Sequence, residues 1–576
     1  MSEKLVSPNP VVILKNAIQK EEEYIKSKLP SEPRLALFEI IRESDAYFAH
    51  LLSISKREAA ELVEDNEFMF FRRIGINKAI SICLGNWCNQ IGTPLVGSTT
   101  EFQDFIEAII QHCGRIGLSE RILDFDHYKL GQLSYVAENE VRFKHARFRY
   151  LGLESKEAEE FNIYRKFSDK YDGDRLSKLN KKRHKMIQEM KKYVKPWREH
   201  YIQYDSTPEI DEFYEELGII WTRPKFFEAI SFPADVKFGK LPFHLYMSTI
   251  AILAGWDLKH MDFCNALLMK NPGMEWRNVL TIFQNTEKLC EYLSMALNLT
   301  VENARGLLEV LTLNPGNAKT HTSTPGGYLA PLVKVSKESV IRSISGILSG
   351  GAYFFMLNEL KRRFQKDWDR AVLEREQVFR YEIQLQLMSE NIYSNTGPIK
   401  IRFNNKIVTD IDAAFFDERN GELGLFQLKW QDFFGDSLQK RETKKKNFLE
   451  ESTKWIEKVT DMITSNTNEK IMEIINLDKF THTRISKIYL FVIGRNFSHF
   501  SGNEVPDDRA AWGMWPQLLR ILNEGGENDN LIKSNKISWL HNKLKDESPI
   551  HDKPPEFKDN FQYEVGGCKV TFGPRL

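Results

Sequence analysis

The chain has 576 residues and a mass of 67.2 kDa, which is more than one hydrophobic core usually supports, so we expect two to four domains. Hydrophobic residues make up 42% and charged residues 28% of the chain, which is ordinary for a soluble globular protein. Lys plus Arg and Asp plus Glu both number 80, so the formal net charge is zero. Any binding of nucleic acid therefore needs a local patch of positive charge.

The amino terminus and the cysteines predict a cytoplasmic location. The first residues, MSEKLVSPNPVVILKN, lack the basic start and the apolar run of a signal peptide. The longest apolar stretch, Phe243 to Trp256, is shorter than the ~20 residues that a membrane-spanning helix needs. Only Cys83 and Cys88 lie close together, and no second Cys or His pair completes a zinc site. We expect buried, reduced thiols and no membrane partner.

Residues 1–200 are predicted as a helical amino-terminal region, because Leu, Ile, Glu and Lys recur at helical spacing. The tetrapeptide Ser98-Thr99-Thr100-Glu101 has the form of a capping box at the start of a helix. The segment 178–195 is strongly basic. Two interpretations of it stay open, namely contact with a phosphate backbone, or a solvated helix face or linker.

Residues 201–345 are predicted as a second helical domain, which is more apolar. A third domain is predicted at 346–525, where a helical stretch gives way near Ile399 to the alternating pattern of strands. Residues 526–576 are interpreted as a carboxyl-terminal extension. The expected fold class is α+β and multidomain, with a helix-rich first two-thirds.

Two segments of the third domain predict a β-hairpin. KIVTDIDAAFF and ELGLFQLKW alternate as strands do, and Asn420-Gly421 between them is a strong turn signal. With a two-residue turn, Asp412 lies opposite Lys429. With a four-residue loop from Glu418 to Gly421, Asp412 lies opposite Gln427 instead. Both registers bring Asp412, Gln427 and Lys429 to one face, where opposed Cβ atoms are ~5 Å apart.

The polar face of this hairpin is interspersed with apolar residues. Asp410, Asp412, Gln427 and Lys429 share it with Val408, Ala414, Leu423 and Leu425. We therefore expect these polar groups to be partly buried. A half-buried carboxylate near an amide and an ammonium needs compensation, and a divalent cation with an anionic substrate would provide it.

The order of the elements resembles the PD-(D/E)XK, or restriction-endonuclease-like, nuclease superfamily. That order is a helix with Glu, a strand, a strand with Asp, a turn, a strand with (Glu/Asp/Gln)-x-Lys, a helix and a strand, over about residues 365–500. Asp412 matches the metal-binding aspartate, and Gln427-Leu428-Lys429 matches the (D/E)xK element. Glutamine in the acidic position is a departure that weakens metal binding, because the amide oxygen is neutral. The Gln-x-Lys form is similar to the Mrr-like branch of restriction enzymes.

The resemblance implies a restriction-endonuclease-like core, with a mixed sheet flanked by helices. It also implies that Asp412, the Gln427 side chain and the Leu428 carbonyl bind Mg²⁺, for which Mn²⁺ can substitute. Lys429 would position the attacking water or stabilise negative charge on the phosphate. These four residues form the expected active site together with one glutamate of the preceding helix.

For that helical glutamate, the sequence offers Glu382 and Glu376. Glu382 is preferred, since it lies nearer the end of the helix that leads into the sheet. Basic residues near the start of the following helix are expected to contact nucleic acid, and these are Lys440, Arg441, Lys444, Lys445 and Lys446.

The function implied is Mg²⁺-dependent hydrolysis of phosphodiester bonds, with DNA as the expected substrate. The layout resembles that of prokaryotic restriction and anti-phage defence proteins, whose helical regions bind DNA, a partner protein or another copy. Two alternatives stay open: a nuclease fold without catalysis that serves as a scaffold or binds nucleic acid, and a helical interaction protein. The patterns GxxxxGK[ST] and GxGxxG are absent from the sequence, so no nucleotide cofactor is expected.

Overall fold

The computed structural model has a mixed α+β fold in which helices predominate, which confirms the α+β part of the expected fold class. Helices make up most of the first two-thirds, and the largest sheet lies in the last third. The structure describes residues 8–54, 67–85, 90–145, 175, 177–227, 232–323, 328–395, 397–403, 406–432, 437–479, 483–498, 507–526, 529–547 and 561–573.

The helices begin and end as follows, in chain order. They are α1 (Pro10–Lys28), α2 (Pro33–Ser53), α3 (Glu67–Cys83), α4 (Thr100–His127), α5 (Pro208–Phe227), α6 (Phe243–Lys270), α7 (Trp276–Leu280), α8 (Thr286–Leu297), α9 (Val301–Val310), α10 (Ala318–Thr322), α11 (Ile344–Leu348), α12 (Gly351–Arg363), α13 (Gln365–Leu387), α14 (Leu438–Ser465), α15 (Asn468–Ile474), α16 (Trp515–Gly526) and α17 (Asp529–Asp546). Residues 177–190 are also helical and carry much of the basic segment predicted at 178–195.

The strands fall into several small sheets. They are β1 (Gly131–Ala137), β2 (Glu140–His145), β3 (Val194–Trp197), β4 (Tyr201–Tyr204), β5 (Lys237–Phe238), β6 (Leu241–Pro242), β7 (Ile282–Asn285), β8 (Thr312–Leu313), β9 (Leu332–Lys334), β10 (Ser339–Arg342), β11 (Ile392–Asn395), β12 (Ile399–Phe403), β13 (Lys406–Ile411), β14 (Ala413–Asp417), β15 (Glu422–Lys429), β16 (Lys487–Gly494), β17 (Ala510–Met514), β18 (Gln562–Val565) and β19 (Cys568–Phe572).

Strands β18 and β19, near the end of the sequence, join β1 and β2 in one sheet. Its strand order is β1-β2-β19-β18, in which β19 runs parallel to β2. Buried residues of α2, α4 and β18, such as Leu37, Ile110 and Val565, share one apolar cluster beside this sheet. The Gly566 N–H donates to the Glu21 carboxylate of α1 at 2.7 Å. The segment interpreted as an extension therefore completes a sheet of the amino-terminal part.

Apolar packing continues across two of the predicted domain limits. One buried cluster contains Ala46 of α2, Met186, Leu253 of α6, Tyr353 of α12 and Trp368 of α13. These residues come from both sides of the limits predicted near 200 and 345. The division into domains stays a prediction, whereas the helices on both sides of each limit demonstrably pack against one another.

A five-stranded sheet dominates the last third, with the order β11-β14-β15-β16-β17. Strands β11, β14 and β15 are antiparallel, and β15, β16 and β17 are parallel. Strands β15 and β16 are parallel neighbours, so the chain must return to the start of the sheet between them, and helix α14 lies in this crossover connection. Residues such as Ala414 and Leu425 pack under α14 and α15. Phe415 and Phe426 pack on the other face, against α13, α16 and α17. The sheet is thus a central layer between helices.

The predicted strand KIVTDIDAAFF is divided into two strands at Asp412. Strand β13 pairs with β12, whereas β14 pairs with β11 and β15, and the chain bends at Asp412 between them. The alternation of side chains is interrupted there. Ile411 lies in the cluster under α14, and Ile407 is 51% exposed. Neither residue therefore shares the face of Phe415, as strict alternation along a single strand would require. The bend leaves Asp412 where the strand enters the sheet.

Two general expectations can be compared with the described residues. In that part of the chain, every helix is too short or too polar to cross a membrane. The described cysteines are buried and free of disulfides, and Cys88 lies outside the described residues. Burial raises the pKa of Cys83 to about 12. This thiol is therefore protonated and unreactive at neutral pH.

Candidate active site

The hairpin has the four-residue loop, which is the second of the two predicted registers. Asp417 lies opposite Glu422, and Ala413 lies opposite Phe426, so the loop runs from Glu418 to Gly421. The register with Asp412 opposite Lys429 is wrong. The Gly421 N–H donates to the Asp417 carbonyl at 2.9 Å and closes the wider loop. Gly421 has φ +70°, and a Cβ there would lie 2.4 Å from the Arg484 carbonyl oxygen, so glycine is required.

Asp412 lies beside Gln427 and is held by three donors. Its Oδ2 accepts hydrogen bonds from Gln427 Nε2 at 2.5 Å and from the Leu428 N–H at 2.8 Å. Its Oδ1 accepts from Arg380 Nη2 at 2.8 Å and Nε at 3.2 Å. Asp412 is 5% exposed. Burial raises the pKa of Asp412, while the Leu428 N–H and Arg380 favour its charged form. The buried carboxylate predicted from the sequence is therefore present.

Lys429 reaches the same pocket, and its ion-pair partner is Glu451 of helix α14. Its Nζ lies 2.9 Å from Glu451 Oε2, on helix α14. The Lys429 side chain is 28% exposed and that of Glu451 is 59% exposed. The structure therefore brings Asp412, Gln427, Leu428 and Lys429 together, with the ammonium at the open side of the pocket.

The preference for Glu382 as the helical acid is wrong. Glu382 forms an ion pair with Arg495, whose guanidinium also lies 4.6 Å from the centre of the Trp430 ring. Glu376 is the glutamate of α13 that lines the pocket. Six residues of an α-helix are about one and two-thirds turns, so the two glutamates point to different sides. Nearness to the end of the helix was therefore the wrong criterion.

A pocket of about 340 Å³ opens in front of these residues. Its lining is rich in charged groups of both signs, which suits a charged substrate better than an apolar one. The acidic residues that line it are Glu376, Asp410, Asp412 and Glu451, and the basic ones are Arg380, Lys429 and Lys444. Burial and the nearby charge of Asp412 raise the pKa of Glu376, so the two carboxylates influence each other.

The five basic residues predicted to contact nucleic acid divide into two groups. Lys444 lines the pocket, while Lys440 and Lys446 are exposed. Arg441 and Lys445 are buried on the inner face of α14, with Leu438 and Phe448. These two residues cannot contact a nucleic acid from that position, so this part of the prediction is wrong. Burial and the nearby charge of Arg121 lower the pKa of Arg441 to about 9.

Sequence reasoning missed two residues of the pocket, Arg380 and Glu451. Helical spacing places each of them in the pocket once a pocket residue on the same helix is known. Arg380 lies four residues after Glu376, and Glu451 lies seven residues after Lys444, so each pair shares a helix face. The faces that matter could not be chosen from the sequence alone, because the pairing of each helix with the sheet was unknown.

The side-chain oxygen atoms in the pocket are of the type that coordinates a hard divalent cation, but their number is small. Asp412, Glu376 and the Gln427 amide supply oxygen atoms of the kind that Mg²⁺ prefers. Among the described residues, no group of three or more His, Cys, Asp or Glu side chains is arranged to hold a metal. Arg380 Nη2 lies 2.8 Å from Asp412 and 3.8 Å from Glu376, so Arg380 now supplies the positive charge between the two acids.

No protein-family model, curated protein or solved structure matches the chain. The resemblance to a nuclease superfamily therefore rests on the residues themselves. Its support is Asp412, Gln427 and Lys429, with the order of the strands that carry them. What this site does has to be inferred from its chemistry.

Proposed function

We propose that this pocket hydrolyses phosphodiester bonds of DNA with a divalent cation, in the manner of PD-(D/E)XK nucleases. The observation that supports the proposal most is the convergence of Asp412, Gln427 and Lys429 on one pocket. A restriction-endonuclease-like core is part of the same proposal. It is supported by the antiparallel β14–β15 hairpin, the crossover helix α14 and the parallel strand β16.

Asp412 would hold Mg²⁺, with the Gln427 side-chain oxygen, the Leu428 carbonyl and Glu376 as further oxygen ligands. When bound, the ion supplies positive charge beside the scissile phosphate and lowers the pKa of a coordinated water. Asp412 and Glu376 both have a raised pKa because burial penalises their charged forms. A strong positive charge between these two carboxylates would stabilise their charged forms.

The basic residues of the pocket would bind and orient the phosphate. Lys429 contacts the exposed Glu451 carboxylate, and an exposed ion pair is worth only ~0–1 kcal/mol. A phosphate oxygen can therefore replace Glu451 as the partner of Lys429. Arg380 contacts Asp412 through Nε and Nη2. Its Nη1 takes no part in that contact, which makes it the donor for a second phosphate oxygen. Both residues would stabilise charge that develops on the phosphate.

Cleavage of plasmid and linear DNA tests the proposal. The wild-type protein, Asp412→Ala and Lys429→Ala are each incubated with Mg²⁺, with Mn²⁺ and with EDTA. The proposal expects cleavage by the wild type in either metal, none in EDTA, and a loss in both variants. Equal cleavage by all three proteins, or cleavage that persists in EDTA, would contradict it.

A second candidate function is nucleic-acid binding without catalysis. The observation that favours it is Arg380, which already neutralises Asp412 where a metal would bind. This candidate predicts DNA binding that is unchanged by Mg²⁺ and by Lys429→Ala. A cytoplasmic role in restriction or anti-phage defence remains part of the first proposal, by analogy of layout only.

A further inference from the structure

Positive charge from three helices gathers around Asp432, beside the active-site pocket. Lys361 comes from the last turn of α12, and Arg375 comes from α13. Lys440 and Lys444 come from the first turns of α14. We call these five residues the Asp432 cluster. Helix α12 precedes the sheet in the chain, so the cluster joins the helical part of the protein to the nuclease-like part.

Asp432 fixes the positions of two of these cations. Arg375 Nη1 lies 2.6 Å from Asp432 Oδ1, and Lys361 Nζ lies 3.2 Å from Oδ2. Arg375 is buried and also donates to the Trp430 carbonyl at 2.8 Å. Lys361 Nζ lies 5.4 Å from the centre of the Trp368 ring, and its side chain is 48% exposed. One carboxylate thus holds an exposed lysine of α12 beside a buried arginine of α13.

The cluster contains more positive than negative charge. Its one carboxylate is shared by Arg375 and Lys361, and within the described ranges neither Lys440 nor Lys444 forms an ion pair. The Lys440 side chain as a whole is exposed, but partial desolvation of its ammonium and repulsion by Lys361 lower its pKa, while Asp432 opposes this. Burial lowers the pKa of Lys444 to about 8; repulsion by Lys361, Arg375 and Lys440 adds to that effect, and the negative charge of Asp432 opposes it. Like charges held this close are stabilised by an anion.

We propose that Lys361, Lys440 and Lys444 bind phosphate groups of a nucleic-acid backbone beside the pocket. Lys444 also lines the pocket, so a bound strand would continue from the cluster to the active site. This inference rests on the proposed function for its ligand, a nucleic acid. It adds a contact from Lys361 of α12, which lies outside the nuclease-like sheet. Phosphate contacts position a strand without reading its bases, so this surface adds no sequence preference.

Binding of a labelled DNA duplex, measured by fluorescence anisotropy in EDTA, tests the proposal without cleavage. Lys361→Met and Lys444→Met remove the charge and keep most of the side chain. Each is expected to weaken binding on the order of threefold to tenfold, and to reduce the slope of log affinity against log salt by about 1. Lys470→Met is the matched control. Lys470 is exposed on α15 and lies 2.7 Å from Glu473, and its loss is expected to leave the affinity unchanged.

The outcomes separate this inference from the proposed function. If both Lys361→Met and Lys444→Met bind like the wild type, or no more weakly than Lys470→Met, the inference is overturned, whatever the cleavage assay shows. If the two variants lose affinity while the wild type cleaves no DNA, the inference stands and the catalytic proposal fails. Because Lys361 is exposed, Lys361→Met is expected to fold normally, and its thermal unfolding checks this.

Discussion

The two ends of the β14–β15 hairpin carry similar residues in different surroundings. At the turn end, Asp417 is fully buried and pairs with Arg419 at 2.7 Å, two residues away in the chain. Its Oδ1 also accepts from the Arg419 N–H at 3.1 Å. Glu422 accepts from the Ser538 N–H at 3.1 Å. The acids at this end are satisfied by donors that shape the turn and fasten it to α17.

At the pocket end, the partners come from elsewhere in the fold. Asp412 contacts Arg380 of α13, and Lys429 contacts Glu451 of α14. Both contacts face a cavity that could hold a substrate. Burial of an acid therefore does not by itself indicate a functional site. An acid that is closed in by its own turn is structural, whereas one that faces a cavity with cations from several helices can act on a ligand.

The largest effect is expected for Lys429, at the pocket end. Lys429→Met should lower DNA cleavage on the order of 100-fold, because it removes a positive charge aimed at the scissile phosphate. Single-turnover cleavage with Mg²⁺ measures this. Glu451→Gln removes the partner of Lys429 and keeps the lysine, so it should cleave nearly as well as the wild type. An equal loss in both variants would mean that the ion pair, and not the ammonium, matters.

At the turn end, Asp417→Asn should affect stability and leave chemistry intact. It removes the negative charge that holds Arg419 and weakens the hydrogen bond to the Arg419 N–H. The free energy of unfolding should fall by about 1–3 kcal/mol. Urea denaturation measures the loss, and cleavage per folded molecule should be unchanged. Lower cleavage without lower stability would break the distinction between the two ends.

Glu376 and Glu382 provide a second contrast between a pocket acid and a structural acid, within helix α13. Glu376→Gln should lower Mg²⁺ affinity or cleavage about tenfold, because Glu376 lines the pocket. Glu382→Gln should lower the melting temperature instead, since Arg495 would lose its counter-ion among aromatic rings. Calorimetric titration with Mg²⁺ and thermal unfolding measure the two effects. If Glu382→Gln alone impaired metal binding, the assignment of Glu376 would be wrong.

A change of pH is expected to have a smaller effect, on DNA affinity. The pKa of Lys444 is lowered from 10.5 to about 8, because of burial and the nearby Lys361, Arg375 and Lys440, although Asp432 opposes this. Lys444 is therefore charged below pH 8 and neutral above it. DNA affinity should fall on the order of threefold from pH 7 to pH 9, as one phosphate contact is lost. Lys444→Arg keeps its charge and should show a smaller fall in the same anisotropy assay. An identical fall would exclude Lys444 as the cause.

The hairpin and its surroundings could be predicted from the sequence to a large extent. Alternation of side chains and the Asn420-Gly421 turn signal located both strands, and one of two registers proved right. The choice between them depended on the hydrogen bond from Gly421 to Asp417, which the pattern of residue types does not reveal. The bend at Asp412 was also missed, because it results from pairing of β13 with β12 rather than with the main sheet.

The helices around the site were harder to place. Arg441 and Lys445 look like an exposed basic run, yet their spacing with Leu438 and Phe448 puts them on the buried face of α14. The charges alone suggested a nucleic-acid surface, although the helical spacing of Arg441 and Lys445 with Leu438 and Phe448 is typical of a buried face. The periodicity proved the better guide. Lys361 could not have been linked to the site, because its position depends on how α12 packs beside the sheet.

We propose that the pocket end of the hairpin hydrolyses DNA and that the turn end does not. Mg²⁺-dependent cleavage of supercoiled plasmid by the wild type, Asp412→Asn and Asp417→Asn, at equal concentrations of folded protein, tests this difference. Asp412→Asn alone is expected to lose cleavage. Cleavage by Asp412→Asn at the wild-type rate, or the same loss in both variants, would contradict it.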